Sequence, residues 1–184
     1  KIPTVFPYSV LEEANHVSET ISPEELEGRV DLRQELTVTI DGADAKDLDD
    51  AVALVKREDG TFVLTVSIAD VSYYVTENSE MDKEAFERGT SVYLTDRVVP
   101  MLPQRLSNGI CSLHPYEERL TLTARMEIDR SGTIYQHEIF PSVIQSNERL
   151  TYDEVNVLFN TNEASEKITP EIAEMLWNMK ELHT

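Results

Sequence analysis

The sequence TIDGADAKDLDDA at residues 39–51 joins two apolar segments, and the expected fold is built around it. Before it, Leu36–Ile40 alternates in polarity as a half-buried strand does. After it, Ala51–Lys56 and Phe62–Ile68 flank Asp59-Gly60, a dipeptide suited to a tight hairpin turn. We therefore expect an acidic loop bracketed by strands at the edge of a core.

The remaining segments predict helices on both sides of a strand-rich middle. Strand-like alternation returns at Arg119–Ile128 and Thr133–Ile144, around a second turn at Ser131-Gly132. Helices are predicted by periodicity and by capping residues at Ser9–Val17, from Ser22-Pro23, at Met81–Arg88 before Gly89, from Thr151 and from Thr169-Pro170. The predicted fold class is α+β (mixed): a mixed, largely antiparallel β-sheet flanked by helices.

Composition excludes several classes of protein. A chain of 184 residues can bury about 70% of its unfolded surface, so it needs neither disulfides nor a metal in order to fold. The single cysteine, Cys111, excludes an internal disulfide and a cysteine-rich zinc site, and we expect it to pack as a small hydrophobe. No apolar run approaches ~18 residues, so no membrane span is expected, and with no export signal a cytoplasmic location is the default expectation.

The net charge of −19 first argues against nucleic acid as a partner, because like charges repel. The carboxylates are unevenly distributed, however. Seven lie in Glu12–Asp31, seven in Asp153–Glu181 and five in Asp41–Asp50, whereas Arg88–Glu148 is close to neutral, with six Arg and seven Asp+Glu. The acidity therefore indicates solvated helices and a concentrated acidic loop, and it does not exclude nucleic acid.

The acidic loop has three interpretations on its residues alone. It is a solvated loop, a structural calcium site, or a site for magnesium or manganese, because oxygen ligands without His or Cys favour hard cations. The intervals from Asp41 do not fit an EF-hand. An Asp-only run between apolar strands favours a metal site, and magnesium would favour phosphoryl-transfer chemistry.

Further motifs give the sequence a specific resemblance. The acidic loop is followed by four further motifs, Ile68–Val75, Arg88–Tyr93, Pro100–Pro103 and Leu106–Leu113. The loop and these motifs resemble, in the same order, those of the RNB family, which is the catalytic domain of ribonuclease II and ribonuclease R. The chain resembles that family along almost its whole length, and the residues of its motifs are closer to those of bacterial ribonuclease R than to those of ribonuclease II.

The resemblance implies a magnesium-dependent exoribonuclease, with manganese as a substitute, that hydrolyses single-stranded RNA from the 3′ end to nucleoside 5′-monophosphates. It implies a catalytic metal centre of four aspartates, Asp41, Asp47, Asp49 and Asp50, and leaves Asp44 outside it. It also matches Tyr93 to an aromatic that stacks on a terminal base, and Tyr152 to another that lines the RNA path.

The residue types and their positions alone give weaker support for RNA contacts. Tyr93 lies in the apolar run Val92–Leu94, where core packing is the ordinary interpretation. Arg97 and Arg105 belong to a segment without carboxylates and are candidate phosphate contacts, although ordinary surface arginines fit the same count. A lone His114 is more often structural than catalytic.

The resemblance also divides the chain. We expect residues 1–35 to form a helical linker leading into the RNB domain, and residues 36–184 to be the N-terminal part of that catalytic domain. The chain lacks an initiator Met and stops inside a predicted helix, so we expect a fragment with little activity of its own and a tendency to self-associate. The parent is expected to carry cold-shock-like and C-terminal OB-type RNA-binding domains. The alternatives are a non-catalytic acidic calcium-binding or interaction module, and a degenerate RNB domain that only binds RNA.

Overall fold

A seven-stranded sheet forms the centre of the computed structural model, which describes residues 3–184. Its strands are β1 Val30–Asp31, β2 Val38–Asp41, β3 Asp50–Lys56, β4 Phe62–Ala69, β7 Glu118–Ile128, β8 Ile134–Gln145 and β9 Glu148–Thr151. They lie in the order β1-β8-β7-β4-β3-β2-β9. Neighbouring strands are antiparallel except for the pairs β1–β8 and β2–β9, so the sheet is mixed and largely antiparallel, as predicted.

Helices flank this sheet, which confirms the predicted fold class. They are α1 Tyr8–His16, α2 Val71–Tyr74, α3 Glu80–Arg88, α4 Tyr152–Thr161 and α5 Pro170–His183. A π-helical turn covers Leu106–Ile110, and β5 Val92–Tyr93 pairs with β6 Val98–Val99 as a separate two-stranded ribbon. The predicted caps are present: Gly89 ends α3 with a φ of 71°, and Thr151 and Thr169 accept hydrogen bonds at the starts of α4 and α5.

The helix predicted to start at Ser22 does start there, but it is not an α-helix. The segment is a single 3₁₀ turn, Pro23–Leu26, although the predicted Ser22–Glu25 capping box is formed. Glu27 is already extended and Gly28 takes a φ of 78°, so the chain turns away before a second helical turn can form. One turn fixes several dihedral angles for few hydrogen bonds and does not propagate by itself.

Two cores lie on opposite faces of the sheet. On one face, α1 and α3 pack with the π-helical turn on a cluster that includes Val10, Met81 and Leu113. On the other, α4 and α5 cover a cluster that includes Leu150 and Leu176. Alternation along β3 sends successive side chains to the two faces, so both cores are tied to the strand that leaves the acidic loop.

The acidic loop is anchored by one buried leucine. Leu48 is fully buried, its amide donates to Ser112 Oγ at 3.0 Å, and its carbonyl accepts from the Leu113 amide at 2.9 Å. Ser112 Oγ also donates to the Lys46 carbonyl at 3.2 Å. Because Leu48 points inward, the side chains of its two neighbours in sequence project outward.

The segment assigned to a linker contributes to the sheet. Within its described part, residues 3–35, α1 and the 3₁₀ turn are followed by β1, which pairs with β8 at Ser142 and Val143. Residues 1 and 2 lie outside the described residues. The boundary between residues 35 and 36 stays a prediction.

Part of the sheet face on which α4 and α5 pack remains apolar and exposed. Ile68, Leu122 and Ile139 come from the adjacent strands β4, β7 and β8 and line a shallow cavity there. The predicted self-association is consistent with this patch and stays a prediction. None of the helices formed by residues 3–184 is long and apolar enough to cross a membrane.

Replacing Ser112 by Ala should destabilise the chain by about 1–3 kcal/mol, because the buried Leu48 amide loses its acceptor. Thermal unfolding of the variant, followed by circular dichroism, measures this loss. Ser18→Ala, at an exposed hydroxyl, is the control and should change stability by less than about 0.5 kcal/mol. A Ser112→Ala loss no larger than the control's would show that Ser112 does not anchor the loop.

Candidate metal centre

A cleft of about 710 Å³ lies beside the acidic loop. Its walls come from the loop, from the β5–β6 ribbon and from the π-helical turn, elements that the sequence separates by tens of residues. The polar lining residues are Asp41, Asp44, Lys46, Asp47, Asp49, Tyr93, Asp96, Arg97, Gln104, Ser107 and Asn108. Three of the four predicted metal-binding aspartates therefore share one cleft.

Asp41 is partly buried in the wall of this cleft. It ends β2, where it pairs with Thr151 of β9, and its Oδ2 atom is buried without a hydrogen-bond partner. Desolvation raises the pKa of Asp41, and the charge of Asp50 raises it further, whereas Arg149 lowers it in part. A buried acceptor without a donor is costly unless a proton or a cation meets it.

Asp47, Asp49 and Asp50 complete the concentration of charge. Desolvation, followed by the charges of Asp47 and Asp50, raises the pKa of Asp49. Asp50 does not line the cleft, since it begins β3 opposite Ile68, but its charge raises the pKa of both Asp41 and Asp49. The four predicted aspartates are thus electrostatically coupled.

The donors in this cleft fit a hard cation. They are carboxylate, amide and hydroxyl oxygens, which magnesium and manganese accept, and none is a thiol or an imidazole. Within residues 3–184, no three carboxylate, imidazole or thiol side chains are grouped closely enough to hold a metal ion as they stand. The fit therefore rests on the donor chemistry and on the unpaired Asp41 oxygen.

Tyr93 stands at the mouth of the cleft. Its side chain is 63% exposed, so the core packing that its apolar neighbours suggest does not occur. Its hydroxyl donates to Asp47 Oδ2 at 2.5 Å, and this bond to a carboxylate raises the pKa of Tyr93 to about 12. Tyr152 is also exposed, as its position after a helix cap predicts, but it does not line this cleft.

The structure separates the two candidate arginines. Arg97 lines the cleft and is exposed, and its guanidinium binds the Asp96 carboxylate at 2.6 Å. Asp96 directly precedes the segment without carboxylates to which Arg97 and Arg105 belong. Arg105 lies outside the cleft lining and binds Glu19 at 2.7 Å and the Val17 carbonyl at 2.9 Å. Arg105 therefore fastens the segment after α1 and is not presented to the cleft.

Arg149 is a residue that sequence reasoning missed. From β9 its Nη2 donates to the carbonyls of Ala45, Ala43 and Gly42, at 2.7, 3.2 and 3.4 Å. A single sequence carries no sign of this contact, because it depends on the parallel pairing of β9 with β2, which lie more than a hundred residues apart in the chain.

His114 and Cys111 are structural: the His114 ring contacts the Asn108 carbonyl at 2.9 Å, and Cys111 is buried.

Comparison with known proteins places this cleft in a family. The model of the RNB domain matches residues 29–184. The chain belongs to the RNB domain family. This confirms the resemblance drawn from the acidic loop and the four motifs that follow it.

Individual relatives agree with this assignment. "Ribonuclease R 1" of Lactococcus lactis subsp. lactis is 56% identical over 178 residues, which are 97% of this chain and 22% of that protein. The structure of "Mycoplasma genitalium RNase R in complex with ribose methylated single-stranded RNA" has a TM-score of 0.92 at 36% identity and covers 98% of this chain and 28% of that one. The chain spans about a quarter of the length of the curated relatives it matches.

A more distant structural neighbour shows what the fold alone does not decide. Yeast Ssd1, described as a pseudonuclease, has a TM-score of 0.73 at 23% identity, covering 88% of this chain and 19% of that one. The likeness is one of fold only. The chemistry of an RNB chain must therefore be argued from its site residues.

Changing Asp41 to Asn should stabilise the chain at pH 7 without divalent cations. A carboxyl whose pKa is raised by folding favours its protonated form, so its ionisation lowers stability as pH rises through the folded-state value. We expect the melting temperature to rise by about 2 °C, and the gain to shrink as the pH falls through the raised pKa of Asp41, because the wild-type carboxyl is then protonated as well.

The control is Asp44→Asn, which neutralises an exposed carboxylate of the same loop and should leave the melting temperature nearly unchanged. Calorimetric scans in chelator at several pH values make the comparison. A loss of stability in Asp41→Asn at pH 7 would contradict the assignment of a confined, unpaired charge.

Proposed function

We propose that the protein carrying this chain is a magnesium-dependent hydrolytic exoribonuclease. It degrades single-stranded RNA from the 3′ end to nucleoside 5′-monophosphates, and manganese can take the place of magnesium as its cofactor. The observation that carries the proposal is the cleft of an RNB chain lined by Asp41, Asp47 and Asp49, with an unpaired buried oxygen on Asp41. A cytoplasmic location accompanies this function.

The four aspartates, Asp41, Asp47, Asp49 and Asp50, would hold the cation. Bound magnesium supplies polarisation of the phosphodiester and a more acidic water. The protein's part is to present the carboxylates together at the cleft surface, which the burial of Leu48 does for Asp47 and Asp49. Their mutual repulsion would be relieved by the charge of a bound cation.

Tyr93 and Arg97 are placed to meet the RNA. The exposed Tyr93 ring offers a face on which a base can stack, and stacking tolerates any base, which suits a nuclease that removes successive nucleotides. The hydrogen bond from its hydroxyl to Asp47 holds the ring beside the carboxylates, so a base stacked on the ring would lie next to them. Arg97 lies at the cleft beside Asp96 and can turn to a phosphate, since both side chains are exposed.

The rest of the parent protein supplies most of the attraction for RNA. The chain's net charge of −19 does not favour a polyanion, and the only arginine on the cleft's lining among residues 3–184 is Arg97. We propose that Tyr152 contacts RNA farther along its path. Cold-shock-like and C-terminal OB-type domains of the parent would provide the basic surface that this chain lacks.

Replacing Asp49 by Asn in the full-length parent should lower hydrolysis of single-stranded RNA by at least about 100-fold, because a charged donor to the cation is lost. RNA affinity should be retained or should rise, because a carboxylate near phosphate is removed. Release of labelled mononucleotides from uniformly labelled RNA in magnesium, and binding of the same RNA in chelator, measure the two effects.

Asp44→Asn is the matched control and should keep nearly full activity. Wild-type activity in Asp49→Asn, together with tight calcium binding, would instead support a calcium-binding or interaction module. A wild-type parent that binds RNA and never releases mononucleotides would support a domain that only binds RNA.

Replacing Tyr93 by Ala should weaken binding of a short single-stranded RNA by ~1–3 kcal/mol, the contribution of one stacked base. Tyr93→Phe keeps the ring and should bind nearly as well as wild type. Tyr135→Ala removes an exposed ring outside the cleft and serves as the control. Fluorescence anisotropy in chelator gives the affinities, and equal values for Tyr93→Ala and the control would refute a stacking role.

A further inference from the structure

The loop that carries the aspartates is fixed at two places by different groups. Its second half, Lys46–Leu48, is held from the core by Ser112 and Leu113. Its first half, Gly42–Ala45, contains a turn closed by the Ala45 amide and the Gly42 carbonyl at 3.1 Å. Apart from that turn, the hydrogen bonds that this half makes within residues 3–184 come from the Arg149 guanidinium.

The position of Arg149 makes it a rigid support. It lies in β9 and pairs with Thr39 of β2, two residues before Asp41, so its backbone is part of the sheet. Its side chain is half-buried, and one terminal nitrogen reaches three of the four carbonyls of the Gly42–Ala45 segment. A guanidinium is suited to this task because its donors are held in a fixed plane.

We propose that Arg149 is a positioning residue that clamps the Gly42–Ala45 turn from the neighbouring strand and thereby presents Asp41 and Asp47 to the cation. This proposal rests on the function proposed above. Arg149 contacts the turn through backbone carbonyls, so it contributes no ligand to the metal. It acts by reducing the freedom of the segment between the two carboxylates.

The charge of Arg149 provides a way to separate this role from plain electrostatics. Removing a positive charge beside carboxylates should by itself strengthen cation binding, because repulsion between the two cations is lost. Removing a support should weaken it, because the ligands must then be ordered when the cation binds. The two interpretations therefore predict opposite changes for the same variant.

The test compares Arg149→Gln with Lys46→Gln in this chain. Lys46 lines the same cleft on an exposed side chain, so its replacement removes one positive charge from the cleft and leaves the clamp in place. Calorimetric titration with MgCl2 should give about 10-fold weaker binding for Arg149→Gln, and equal or tighter binding for Lys46→Gln. Arg149→Lys keeps the charge but not the rigid plane of the guanidinium, and should lie between wild type and Arg149→Gln.

Amide hydrogen exchange in chelator provides a measurement without metal. Exchange at Ala43–Asp47 should be faster in Arg149→Gln than in wild type, and unchanged in Lys46→Gln. If Arg149→Gln fails to fold, the same two measurements on Arg149→Lys decide the matter, because that variant retains the charge.

Equal or tighter magnesium binding with unchanged exchange in the Arg149 variants would overturn the clamp. Failure of the wild-type chain to bind magnesium would overturn the proposed metal centre, and with it the role of Arg149 toward the cation. Exchange that is faster only in the Arg149 variants would support the clamp even then, so the two failures are distinguishable.

Discussion

The burial of Leu48 among carboxylates is the constraint on which the site depends. An apolar side chain between Asp47 and Asp49 must enter the core, and its backbone groups must find partners there, which Ser112 and Leu113 provide. Once Leu48 is inside, the two aspartates have no place except the surface of the cleft. The same burial that stabilises the fold therefore directs the charges outward.

The concentration of charge that results is costly for the unliganded chain. Both Asp41 and Asp49 have raised pKa values, caused first by desolvation and then by their acidic neighbours. Two contacts oppose this repulsion: the Tyr93 hydroxyl donates to Asp47, and the Arg149 guanidinium stands near Asp41. A divalent cation would oppose it more strongly, so stability and function meet at the same few carboxylates.

Much of the fold could be predicted because its signals are local. The alternation around Asp59-Gly60 and Ser131-Gly132, and the caps at Thr151 and Thr169, depend on neighbouring residues, and the structure confirms each of these elements. The helix predicted to start at Ser22 is only a 3₁₀ turn, because a capping box specifies a start and not a length. Strand β9 was missed since a four-residue parallel strand has no period of its own to detect.

The candidate site was predictable only in part, because only some of its signals are local in the sequence. The aspartates stand together in the sequence, so their shared location follows from one loop. The cleft itself is formed by elements brought together in space, and neither the Asp96–Arg97 pair nor the support from Arg149 has a local signature. The different placements of Arg97 and Arg105 likewise depend on which carboxylate each guanidinium reaches.

The function proposed above requires a catalytic divalent cation in the cleft beside the acidic loop. Crystals of the chain soaked in MnCl2 and measured at the manganese absorption edge test it most directly. We expect an anomalous peak in the cleft within coordination distance of Asp41 and of at least one of Asp47, Asp49 and Asp50. A clear map with no peak there, or with manganese bound only elsewhere on the surface, would contradict it.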